Sequence, residues 1–415
     1  MKTKLFTLPT RLMCLMVLMC IPLLCAPQGV QAEEPVKIGY TISLSGVYTA
    51  LGVDLRDGLN LYMEEIGHKA GGRDIKVIVE DIGSNQVSRA LDTGRKLVEK
   101  DKVDVLAGVV GTGSAYALAE FVAKHKLPFV ISNAGADDLT QRKSNPYIVR
   151  PAFVNSGGSH PLGEWLYDKG YRKAVLMGAD YAAGYEHVGG IARTFKEKGG
   201  KVVQEIWPPL GTTDYAPYLA KIDRNADVVM VFFAGADALR FVKQYADYGL
   251  KGKIPLAGKG YLVDDKILEK QGSAAEGVLT ESHWCLLLDT PDNNKFKEAY
   301  TKKYGHPPTL YSEQGYLTAK LIADALNKTG GKVDGAEFVE TMRSLDLKAP
   351  RGTVKFDKFG APIQNSYIRE VQKVEGAWQS VPIKTYPMVN QFWVWGPEEY
   401  MKMPAYSDMK GKWAE

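Results

Sequence analysis

Residues 103–132 read VDVLAGVVGTGSAYALAEFVAKHKLPFVIS. Val103–Val110 is nearly continuous apolar, as a strand buried on both faces of a parallel sheet must be. Gly111–Ser114 is small and polar, Ala115–His125 has helical character, and Pro128–Ser132 is apolar and β-rich again. Before this unit, Val36–Ser45 (VKIGYTISLS) reads as a strand ending in a Ser/Gly loop. Leu55, Leu59, Tyr62, Met63 and Ile66 then fall at helical spacing. Asp74–Ile82 is a further strand, and Leu91, Leu97 and Val98 mark the helix after it. Strands separated by helices at about 30-residue intervals predict a doubly wound α/β fold with a parallel sheet.

The pattern restarts beyond residue 155. Lys173–Met177, Lys201–Ile206, Val228–Phe233 and Ile254–Ala257 read as strands, with helical stretches at Gly189–Lys198, Tyr215–Ile222 and Ala238–Tyr248. Two similar α/β units are therefore expected, joined near Tyr147–Asn155 and Gly277–Trp284. Residues 285–345 carry two helices, Asn294–Tyr304 and Glu313–Leu326, and no strong strand, so they should pack on a sheet already built. Thr353–Asp357 and a hairpin around Val374–Gly376 follow. The aromatic-rich tail, 384–415, shows no clear period.

The chain has 415 residues, of which 45% are hydrophobic and 24% charged, a globular composition. Residues 1–32 read as a secretory signal peptide: Lys2, Lys4 and Arg11 precede an apolar run from Leu12 to Cys25, and Val30-Gln31-Ala32 is a small-x-small cleavage site. A lipid-anchored start at Cys25 is disfavoured because the bulky Leu24 precedes it. Removing the leader takes the net charge from +4 to +1, which excludes a basic nucleic-acid footprint. It also leaves Cys285 as the single cysteine, so no intrachain disulfide is possible, although the compartment reached by a secretory signal is oxidising.

No catalytic constellation appears. G-x-S-x-G, H-E-x-x-H and P-loop motifs are absent, and the six histidines lack zinc-helix spacing. Gly111-Thr112-Gly113-Ser114 begins like a dinucleotide loop, but Tyr116 stands where its third glycine belongs. No enzyme activity, metal or cofactor is expected. Two strand-to-helix junctions instead suit ligand binding. Thr112, Gly113 and Ser114 offer N–H groups and hydroxyls to an anion. Asn133, Ala134, Gly135 and Ala136 form a second backbone-rich edge at the carboxyl end of a parallel strand, where open α/β sheets hold ligands.

Several segments in order resemble the type I periplasmic solute-binding proteins of ABC importers, the branch of the leucine/isoleucine/valine-binding protein. They are Ile38-Gly39 with Leu44-Ser45-Gly46, Gly52 and Gly58, Gly111-x-x-Ser114, Leu127–Ser132, Tyr147–Arg150, Ala275–Val278, Tyr311 with Tyr316, and Gly352-x-Val354-x-Phe356-Asp357 with Gly360. The resemblance implies two doubly wound lobes joined by three hinge crossings, the third near 348–356. Lobe 1 would comprise 33–152 and 283–350, and lobe 2 would comprise 153–282 and 351–383. It also implies a small ligand in the inter-lobe cleft and an inner-membrane permease as partner, with no cofactor, no nucleic acid and a monomeric receptor.

By the same resemblance, Ser114 and the backbone of Ala134 would hold the ligand's polar head, and Tyr311 would be a cleft aromatic. Ala136 stands where amino-acid binders have a threonine, and Lys259 where they carry an acid for the ligand ammonium. Ala183 replaces an aromatic, for which Tyr181 can compensate. A buried unpaired ammonium is expensive, so these departures favour a carboxylate without one, such as an aromatic or other organic acid. Lys259 is then expected to read the ligand's charge. Tyr48, Tyr181, Phe233, Tyr261, Tyr311 and Trp284 are candidate ring-stacking walls. A branched-chain or other amino-acid receptor, and the sensing module of a signalling system, stay open as alternatives.

Overall fold

The computed structural model describes residues 33–414, so the signal-peptide expectation for 1–32 lies outside the described residues. The first sheet has six strands: β1 (Val36–Ile42), β2 (Lys69–Ala70), β3 (Arg73–Asp81), β4 (Val105–Gly108), β5 (Phe129–Ile131) and β6 (Ile148–Val149), in the order β2-β3-β1-β4-β5-β6. All its pairings are parallel except β2 with β3. Helices α1 (Thr49–Glu65), α2 (Val87–Arg95) and α3 (Thr112–His125) connect its strands.

The second sheet has a parallel half built from β7 (Lys173–Gly178), β8 (Lys201–Ile206), β9 (Val228–Phe232), β10 (Leu256–Lys259) and β11 (Leu279–Ser282). Helices α4 (His160–Asp168), α5 (Ala182–Glu197), α6 (Ala216–Leu219), α7 (Gly235–Asp247) and α8 (Asp265–Gln271) accompany it. Helices α9 (Pro291–Tyr304), α10 (Leu310–Thr329) and α11 (Gly335–Arg343) follow β11. The chain then adds β12 (Leu347–Ala349), β13 (Gly352–Phe356), β14 (Pro362–Val374) and β15 (Ala377–Val389), and β14 pairs antiparallel with β11. All strands of the first sheet thus precede residue 150 and all strands of the second follow it, with helices α9–α11 between β11 and β12.

The return helix α10 lies against α1 because two glycines let the backbones meet. A Cβ on Gly58 would stand 1.8 Å from the Ser312 carbonyl oxygen, and one on Gly315 would stand 1.9 Å from that of Leu55. The tail departs from expectation. Residue 384 falls inside β15, which pairs with β14 as far as Val389, and a last helix, α12 (Pro397–Lys402), follows. The strand was hard to read because Ile383-Lys384-Thr385-Tyr386-Pro387 carries no clean alternation. Most of its residues there are exposed or half-buried, so the sequence bears little imprint of a core.

Both sheets place their switch points face to face. In the first, β3 and β4 flank β1. In the second, β8 and β9 flank β7. Loops leaving the two strands of a switch point diverge to opposite faces of the sheet and open a crevice at the strand ends. The four loops concerned lead into α1, α3, α5 and α7.

Candidate functional site

A pocket lies where these loops converge, with about 330 Å³ of space once its opening to solvent is included. Tyr48 and Leu51 come from the start of α1, Val110 and Thr112 from the β4–α3 loop, Tyr181 and Ala183 from the start of α5, and Phe232 and Ala234 from the end of β9. Tyr311, in the first turn of α10, Tyr261, Phe153 and Asn155 complete much of the wall.

No Asp, Glu, Lys or Arg lines the cavity. Its one titratable imidazole, His187, is held neutral because burial, and then the nearby Lys259 charge, depress its pKa. The polarity comes from elsewhere. Five helices begin at this wall: α1, α3, α5, α7 and α10. Each N-terminus carries roughly half a positive charge, so the cavity favours an anion without a cationic side chain. Hydroxyls supply directed donors. The Tyr48 and Tyr181 hydroxyls lie 2.9 Å apart, joining the starts of α1 and α5. The Tyr261 and Tyr311 hydroxyls are buried without a partner among the described residues, and their rings stack at 5.6 Å. Burial raises the pKa of all four tyrosines, so they remain protonated donors at neutral pH.

Of the residues singled out from the sequence, Tyr48, Thr112, Asn133, Gly135, Tyr181, Tyr261 and Tyr311 meet at this cavity. Asn133 is oriented by Gln314, whose Oε1 accepts its Nδ2–H at 2.6 Å. The remaining seven lie elsewhere. The α3 cradle is already capped: Asn85 Oδ1 accepts from the backbone N–H of Gly113 at 2.8 Å and of Ser114 at 3.3 Å. Ala134 and Ala136 turn their methyls into the core beneath the first sheet. Phe233 faces the second sheet's core, against Tyr215 and Phe241 at 5.2 and 4.4 Å. Successive strand residues point to opposite faces, so it is Phe232 that reaches the cavity. Trp284 is likewise a core residue, donating its indole N–H to Asn293.

Lys259 requires the largest correction. It lies within β10 rather than in the loop after it, and it is the direct register partner of Glu281 on β11. Their side chains form an ion pair, 2% and 1% exposed. A second hydrogen bond, from Ser366 Oγ at 2.7 Å, holds the Glu281 carboxylate. The ammonium is therefore neutralised within the protein and lines a different cavity.

Sequence reading missed Phe153, Asn155, His187 and Phe232. Phe153 and Asn155 lie in the first joint between the sheets, which had been read as a connection only. His187 follows Ala183 by four residues, the spacing that puts both on one helix face.

Residues 35–376 match the periplasmic binding protein family. The chain belongs to that family. It is 33% identical over 360 residues to the Leu/Ile/Val-binding protein homolog 6 of Brucella melitensis, covering 85% of this chain and 92% of the relative. An ABC-transporter solute-binding protein of Rhodopseudomonas palustris, solved with 3,4-dihydroxybenzoic acid, is 31% identical with a TM-score of 0.83, covering 86% of this chain and 99% of that one. A second from R. palustris, solved with benzoate, is 31% identical with a TM-score of 0.81, over 86% and 98% of the two chains. As a periplasmic binding protein of the ABC-transporter type, the chain binds a solute rather than transforming it. Among the described residues no helix is long and apolar enough to cross a membrane.

Proposed function

We propose that this receptor delivers a benzoate-type aromatic carboxylate to an ABC permease. The observation that carries the reading is the composition of the cavity: aromatic walls, five helix N-termini and no charged side chain. The carboxylate is attracted by the helix termini and the tyrosine hydroxyls, and the ring lies among Phe153, Phe232, Tyr261 and Tyr311. An α-amino acid fits poorly, because its ammonium would be buried without a carboxylate, at a cost of several kcal/mol. The two R. palustris proteins solved with benzoate and dihydroxybenzoate support the same ligand class.

In this reading 33–152 and 283–350 act as one lobe and 153–282 and 351–383 as the other, and the lobes close on the ligand. The Tyr48–Tyr181 hydrogen bond and the ion pair of Asp54 in α1 with Lys266 in α8 join them. The protein is exported by its leader and works as a monomer. A thermal-shift panel of benzoate, 4-hydroxybenzoate, 3,4-dihydroxybenzoate and the common amino acids tests the reading. A ligand at about 100 times its Kd adds about 2.7 kcal/mol of stability. Stabilisation by the aromatic acids alone is expected; stabilisation by amino acids alone would overturn the assignment.

A further inference from the structure

One ring separates the aromatic cavity from a second, small pocket on the hinge side, which opens to solvent. Phe153 is on the wall of both. On the aromatic side it stacks near His187 at 5.9 Å and Tyr261 at 5.4 Å. On the other it lies parallel to His283, with centroids 5.5 Å apart and planes 14° from parallel, and the Lys259 ammonium stands 5.8 Å from its ring.

The hinge-side cavity is polar where the first is aromatic. Lys259, Glu281, His283, Gln364, Ser366 and Gln391 are on its wall. Lys259 and Glu281 neutralise one another, so the cavity offers hydrogen bonds and no net charge. His283 Nε2 is 3.0 Å from Gln314 Nε2, a donor, which makes Nε2 the acceptor and leaves the proton of the neutral ring on Nδ1. That Nδ1 is buried with no partner among the described residues, in a side chain only 3% exposed. A buried N–H without an acceptor costs about 1–3 kcal/mol, so this wall is suited to an acceptor brought in from outside.

We propose that Phe153 is the specificity-determining partition of the site: its ring ends the aromatic cavity, limits the receptor to single-ring acids without a chain, and screens off a polar subsite that would hold the chain of a longer acid. The proposal rests on the aromatic-acid reading for the ligand's head and adds what sets its length. Removing the ring merges the two cavities, and a chain bearing an oxygen can then reach His283.

Calorimetry of the parent, Phe153→Ala and Phe153→Leu with benzoate, 3-phenylpropanoate and 4-(2-hydroxyethyl)benzoate tests it. The two longer acids extend the ring at the carboxyl end and at the opposite end, so the test does not depend on which end faces Phe153. The parent should prefer benzoate over both. In Phe153→Ala at least one longer acid should gain tenfold or more relative to benzoate. Phe153→Leu, which keeps an apolar side chain in the joint, should show a smaller gain in the same direction and serves if the alanine variant does not fold. An unchanged ratio in the folded variants overturns the partition. A parent that binds none of the three acids sinks the aromatic reading alone, and the same ratio is then read with butanoate and octanoate. Failure of the parent and of both variants to bind any of the five overturns both.

Discussion

At the scale of single residues, β-sheet register decides more than side-chain chemistry. Phe232 and Phe233 are identical in kind and adjacent in sequence, yet one faces the ligand cavity and the other the core. Only the strand's end fixes which. Lys259 and Glu281 are 22 residues apart and become neighbours through the β10–β11 pairing. Nothing local in Gly258-Lys259-Gly260 signals a partner, which is why the lysine read as a free charge. A buried pair of this kind is destabilised by about 3–5 kcal/mol when one member is removed and far less when both become apolar. Lys259→Met alone should therefore lower the unfolding free energy by roughly that amount, and Lys259→Met with Glu281→Leu should recover most of it. Urea denaturation at one temperature measures both. A single variant as stable as the double would show that the pair is not held in the protein.

At the scale of elements, most of the alternation of strands and helices was legible from residue 36 to 282, because the central strands β4, β7 and β9 are buried on both faces; residues 285–345 hold three helices rather than the expected two, α11 being the short addition. The tail was not legible, because its order comes from contacts with distant segments. Tyr406 donates or accepts at 2.8 Å with His160 Nε2, and Tyr400 and Ser156 hydroxyls lie 3.0 Å apart. The ring of Tyr406 sits over Gly189 in α5, where a Cβ would come within 2.4 Å of it. Gly189→Ala should displace that ring and loosen the tail, seen as faster amide exchange over 397–413 with α5 itself still protected. Unchanged exchange there would contradict the packing described.

Helix α5 also carries Glu186, which accepts from the Asn155 amide at 2.6 Å and from the Asp137 N–H at 3.2 Å, with the Tyr116 hydroxyl 3.3 Å from its other oxygen. Burial first, and then the Asp137 carboxylate, push its pKa well above the ordinary 4.5. Burial also raises Asp137, to about 6. Arg150, which binds the Ala136 and Asp137 carbonyls, opposes both shifts. A carboxyl that keeps its proton on folding stabilises fully below its unfolded pKa and loses that contribution as the pH rises. Glu186→Gln, a neutral mimic, should gain on the parent between pH 4.5 and pH 7.5, by at least about 2 °C in relative Tm. Scanning calorimetry at the two pH values checks the sign, and a gap that narrows with rising pH would reverse it.

At the scale of the whole molecule, two doubly wound sheets bring four strand-to-helix loops to one place. The fold and its binding role were legible because the βαβ pattern implies parallel sheets whose strand ends hold ligands, because no catalytic motif stands there, and because the ordered segments resemble the solute-binding family. The ligand's chemistry was half legible. The missing acid for an ammonium could be read from the sequence, whereas the source of positive potential, five helix ends rather than a lysine, emerges only once the helices converge. The central claim is that the cavity holds an aromatic carboxylate and rejects an ammonium. Isothermal titration calorimetry of the mature chain with benzoate and, separately, L-leucine tests it most directly. The account predicts saturable 1:1 binding of benzoate and no heat from leucine at a hundredfold higher concentration; tight leucine binding with none for benzoate would contradict it.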